Sequence, residues 1–116
     1  MTTVVPVKGI SGKIYRFVMV SRSTDLPEFP GVYTFAFPIR YPGAPLESVY
    51  LGRAPHELRI DVLQSDLRAA AIEQGATMIG YMEVTSRVAQ RRIYNDLIQV
   101  MPNRLPFEEA VQVPPR

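Results

Sequence analysis

Two short apolar segments, Phe29-Pro-Gly-Val-Tyr-Thr-Phe-Ala-Phe37 and Val49-Tyr-Leu-Gly-Arg53, constrain the fold of this 116-residue chain more than any other feature. Each carries one tyrosine close to a glycine. Between them Pro38, Pro42, Gly43 and Pro45 bar regular structure and mark a long turn. Two β-rich runs joined in this way predict a hairpin. Alternation along the first strand puts Val32, Thr34 and Ala36 on one face and Tyr33, Phe35 and Phe37 on the other. Pro30 fixes φ just ahead of that strand, and Gly52 is read as the end of the return strand, Ser48 to Leu51. Pairing of the two strands sets Tyr33 and Tyr50 side by side on one face.

The remaining elements follow from changes of period. Val4 to Val7 and Lys13 to Val20 flank the glycine-containing link Gly9-Ile-Ser-Gly12, which predicts an N-terminal hairpin. Ser21 to Glu28 is a polar connector. From Pro55, a residue suited to a first helical turn, Leu63, Leu67, Ala70 and Ala71 recur at helical spacing, and Gly75 is placed to close that helix. Thr77 to Val84 is a third core strand. Thr85 or Ser86 caps a second helix with Ala89, Ile93, Leu97 and Val100 on its apolar stripe, and Pro102 stops it. The expected fold is α+β: a small antiparallel or mixed β-sheet with two helices packed on it and an extra N-terminal β-hairpin. It is read as one domain, with the hairpin and connector at 1–25, the core at 26–103 and a loose tail at 104–116.

Composition removes several chemistries. The sequence is 47% hydrophobic, enough for a real core at this length. It has no cysteine, which excludes disulfides, thiolate metal sites and a cysteine nucleophile. No apolar run reaches the roughly 18 residues of a membrane span, and Met1-Thr-Thr lacks the pattern of a secretory leader, so a cytoplasmic location is expected. Of the 13 basic residues nearly all are arginine, against 11 acids and a net charge of +2. Arginine's planar fork suits phosphate, which is compatible with a nucleic-acid partner.

Gly31-Val-Tyr33 followed by Val49-Tyr-Leu-Gly52, then helix, strand and helix, resembles the GIY-YIG nuclease family, and Pro30 fits that family's Pro-Gly-(Ile/Val)-Tyr opening. The likeness covers about Leu26 to Asn103. It implies phosphodiester hydrolysis of DNA or RNA. That chemistry needs an activated water, an acid near the leaving oxygen and positive charge on the non-bridging oxygens. Transferred to this sequence, the resemblance makes Tyr33 and Tyr50 the motif tyrosines that position or activate the nucleophile. Gly31 and Gly52 become the motif glycines, where a missing side chain allows a sharp turn or close substrate approach. Arg59 lies within a residue of the phosphate-binding arginine, and Arg53 follows the second motif directly. His56 is a second group able to handle protons near neutrality. Arg91 and Arg92 on the last helix are candidate phosphate contacts.

The resemblance also implies a glutamate on the last helix holding one Mg²⁺. Aligning Asn95-Asp-Leu-Ile98 with that helix puts Tyr94 in its place. Asp96, two positions on, is rotated by about 200° and points elsewhere, while Glu83 at the end of the third strand is a possible substitute. A phenol does not replace a carboxylate for Mg²⁺ at neutral pH. The expected function is therefore a catalytically degenerate GIY-YIG-like domain that binds nucleic acid, DNA before RNA, or a protein partner, with no membrane. The alternatives are an active endonuclease using Mg²⁺ and an α+β protein unrelated to nucleic acid. On that last reading the two tyrosines are cross-strand packing, His56 caps a helix and Arg91-Arg92 is a solvated face.

Overall fold

The structure, a computed structural model, describes residues 3–104. Five strands, β1 (Thr3–Lys8), β2 (Ile14–Ser21), β3 (Gly31–Ala36), β4 (Ser48–Ala54) and β5 (Met78–Glu83), form one sheet in the order β1-β2-β5-β3-β4. All its pairings are antiparallel. The fold is α+β, as expected, with helices α1 (Leu58–Leu63), α2 (Arg68–Glu73) and α3 (Arg87–Ile98).

The N-terminal hairpin is not an appendage. β2 pairs with β5 from Val18–Tyr81 to Ser21–Met78, so the hairpin extends the same sheet. Its link turns on Gly12, whose φ of +93° lies where side chains are strained. Pro6 is tolerated because β1 is an edge strand. The far edge is β4, where Asn103 Oδ1 accepts from the Leu51 N–H at 2.8 Å and the Arg104 N–H donates to the Val49 carbonyl at 2.8 Å.

The alternation read for β3 is observed, and both of its faces are buried. Tyr33 and Phe35 enter a core with Leu26, Leu58, Val62, Ala71 and Ile79 under α1 and α2. Val32 and Ala36 enter a second core with Phe17, Leu51, Leu97 and Met101 under α3.

Two expectations need correction. The first helix does not run from Pro55 to Gln74. Pro55 to Glu57 precede it, and residues 64–67 break it into two six-residue pieces. The buried positions are Leu58 and Val62 on α1 and Ala71 on α2, whereas Leu63 is 65% exposed. Gln64, Ser65 and Asp66 offer no apolar contact to carry a continuous helix across the sheet, and the Ser65 hydroxyl instead accepts from the Leu67 N–H at 3.3 Å. The second correction is that β4 continues through Gly52 to Ala54, because Gly52 sits opposite Tyr33 in the ladder and is there to leave room for its ring, not to make a turn. Gly75 does close α2, with φ +103°. Ser86 caps α3, its side chain accepting from the Ala89 N–H at 3.2 Å.

Candidate functional site

The two motif tyrosines do meet. In the ladder Tyr33 faces Gly52 and Phe35 faces Tyr50. The Tyr33 and Tyr50 rings are 6.4 Å apart between centroids, and Phe35 completes a three-ring cluster at 5.4 Å from Tyr33 and 6.2 Å from Tyr50. Tyr50 is half-buried, but Tyr33 is only 4% exposed.

The motif glycines serve this packing. A Cβ on Gly52 would stand 2.5 Å from Cζ and 2.6 Å from the hydroxyl of Tyr33, so the phenol ring lies flat across the glycine. A Cβ on Gly31 would run into the Met82 carbonyl of the adjacent strand and press on Leu58. Neither glycine has a positive φ. Their positions are filled by the protein's own atoms, which replaces the expectation of a turn or an approach path for substrate.

Burial raises the Tyr33 phenol above its ordinary pKa. The charges of Asp61 and Tyr94 push it the same way, and Ser65 opposes them. Tyr33 therefore keeps its proton throughout the neutral range. The carboxylate that acts on it most directly is Asp61, but one oxygen of Asp61 accepts the His56 and Glu57 N–H groups at 2.9 and 3.2 Å and so caps the start of α1.

The other expected residues are spread over the molecule. His56 is exposed at the entry to α1. Arg59 turns to Glu28, its Nη1 2.7 Å from the carboxylate, with both side chains largely in solvent. Arg53 stands opposite Val32 in the ladder, on the α3 side of the sheet. It is half-buried, and its Nε is sealed without a hydrogen-bond partner. Arg91 and Arg92 are exposed on α3 with Arg87. Tyr94 packs against the core beneath α3, and Glu83 is exposed at the end of β5 opposite Gly31.

Asp96 does point elsewhere, and the structure shows where. It is 9% exposed and accepts the Ser11 N–H at 2.8 Å, the Ser11 hydroxyl at 2.6 Å and the Tyr15 hydroxyl at 2.7 Å. Gly9 leaves room for it, since a Cβ there would run into the Asp96 carboxylate. The hydrogen bonds from Ser11 and Tyr15 hold its pKa below the ordinary carboxylate range. The same contact, together with burial, raises the Tyr15 phenol. Asp96 ties the N-terminal hairpin to α3.

The residues around Tyr33 do not fit the magnesium centre that the resemblance implies. Tyr94, where the resemblance expects a carboxylate, is a phenol packed against the α3-side core, Asp61 caps a helix and Asp96 is committed to Ser11 and Tyr15. Among the described residues no three histidine or acidic side chains converge. No described helix is long and apolar enough to cross a membrane.

Sequence reasoning missed one arginine grouping. Arg22, Arg59 and Arg68 line a common cavity with Thr24 and Asp25. They come from the turn after β2, from α1 and from α2, so no local spacing announced them. Compared with protein-family models, curated proteins and solved structures, the chain matches none of them.

Proposed function

We propose that this chain is a nucleic-acid-binding module on a GIY-YIG-like arrangement, acting in the cytoplasm, with DNA preferred to RNA and no hydrolytic step of its own. The observation that carries the reading is the state of Tyr33. A phenol 4% exposed, lying across Gly52 and held protonated by burial, has neither the access nor the basicity to activate a water. The motif pair then works as a packing element. What remains on the surface for phosphate is the arginine set of Arg87, Arg91 and Arg92 on α3 and the group at the α1–α2 cavity.

Fluorescence anisotropy with a labelled duplex, repeated over a salt series, tests the binding half. Affinity should fall linearly in log–log form as salt rises. Plasmid nicking with Mg²⁺ or Mn²⁺ tests the other half. Metal-dependent cleavage that disappears in Tyr33→Phe would overturn the absence of catalysis.

A protein partner is the second reading, and one observation favours it. α1 and α2 pack over β3 and β4, whereas on the same side of the hairpin Val4 and Ile14 are 47% and 54% exposed. A flat salt series with no duplex binding would leave that reading standing in place of the first.

A further inference from the structure

The cavity between the turn after β2 and helices α1 and α2 has a volume of about 50 Å³ and three arginines in its wall, Arg22, Arg59 and Arg68. Its floor is apolar and includes Val62 and Ile79. Two contacts fix the basic rim. The Arg68 Nη2 donates to the Arg22 carbonyl at 3.3 Å, spanning from α2 to the turn, and the Arg22 N–H donates to the Thr77 carbonyl at 3.0 Å. Three arginine residues along one small cavity concentrate positive charge there, which calls for an answering anion. Asp25 supplies part of that answer from the wall, and Glu28 supplies part from outside through its 2.7 Å pair with Arg59. That pair is exposed on both sides, so it is easily exchanged.

Size then selects the ligand. On the measure by which one water needs roughly 10–15 Å³, this cavity has room for one compact group. Guanidinium forks match the oxygens of phosphate in pairs. A phosphate monoester carries its charge and three free oxygens at the tip of a molecule, the shape that enters such a hole. A diester, substituted on both sides, has one charge and two free oxygens and so offers the arginines less.

We propose that this cavity binds a terminal phosphate monoester of a nucleic acid, with Arg22 and Arg68 as its holding groups and Glu28 as a resident competitor that the phosphate displaces from Arg59. This deepens the nucleic-acid reading above and rests on it. Neither Arg22 nor Arg68 belongs to the tyrosine motifs, and Arg22 sits on the connector after the N-terminal hairpin.

The experiment compares one labelled single-stranded oligonucleotide carrying a 5′ phosphate, a 3′ phosphate or hydroxyls at both ends, by anisotropy at fixed ionic strength. One terminal phosphate should tighten binding about tenfold, the worth of a charge-assisted hydrogen bond. Arg22→Gln and Arg68→Gln should remove that gain, so that each variant binds the three strands equally, and Glu28→Gln should enlarge it. Equal affinity for all three strands overturns the cavity site and leaves the nucleic-acid reading intact. If no strand binds, the nucleic-acid reading fails, and inorganic phosphate decides the site alone. Thermal stabilisation by phosphate over chloride, lost in Arg22→Gln, upholds a phosphate site, and no stabilisation overturns it.

Discussion

Strand β3 is buried at all six of its positions, whereas β2, two places away in the same sheet, alternates between buried and exposed along its length. Helices α1 and α2 cover one side of β3 and α3 covers the other, so β3 is the centre of a three-layer packing. The hairpin half has only the α3 side. Its inward residues Val5, Phe17 and Met19 join that core, while Val4, Ile14 and Arg16 face out. The inner half is stabilised by apolar contact on two faces. In the outer half, one apolar face is supplemented by a polar tether, Asp96 with Ser11 and Tyr15. One sheet thus combines a region packed on two faces with a region held by a strand ladder, one apolar face and a carboxylate tether.

The largest effect expected is at Phe17, which is fully buried although it belongs to the outer half. Phe17→Ala should cost about 4 kcal/mol in urea unfolding. A loss near that of a surface change would mean that the outer half has no core of its own. Next is Gly31→Ala, at about 2–3 kcal/mol, because the added methyl meets the Met82 carbonyl and backbone cannot step aside as a side chain can.

Asp96→Asn should act locally. Amide exchange of residues 9–15 should rise while that of β3 stays slow, and equal opening of both would break the distinction between tether and core. The wild-type tether should also show a pH signature. Its folded pKa is depressed, so its contribution is complete well above the unfolded carboxylate value of about 4 and is lost as pH falls through the lower folded value. Asp96→Asn should flatten that acid limb of the stability curve. Smallest of all is Ile14→Thr on the uncovered face, within about 0.5 kcal/mol.

Much of the local structure in both halves was legible in the chain. The faces of β3, the Tyr33–Tyr50 meeting, the N-terminal hairpin, the Ser86 cap and Gly75 all follow from local rules acting over a few residues. What was not legible depended on distant partners. Nothing near Gly52 says that a tyrosine ring on the neighbouring strand needs its space, so a glycine read as a terminator is an interior strand residue. Leu63 fits a helical stripe with Leu67, Ala70 and Ala71, and those three do pack against the core, but Leu63 turns to solvent and α1 instead buries Leu58 and Val62. The insertion of β5 between β2 and β3 is a pairing across many residues that no turn signal encodes. Asp96 lies 85 residues from Ser11 and 81 from Tyr15. Its rotation away from the expected position could be read from the helix, but its destination could not.

The treatment of the two sheet edges has a consequence for stoichiometry. At β4 the segment Asn103–Arg104 takes up the outward N–H of Leu51 and the carbonyl of Val49, whereas among the described residues β1 pairs with β2 alone and faces Ile39 and Pro42 to Pro45 across a small cavity. A sheet that can accept a new strand on one side alone cannot propagate. Association through the described β1 edge, when it occurs, sets that edge of one copy against the same edge of another and terminates at two, as a self-complementary pair and not a fibre.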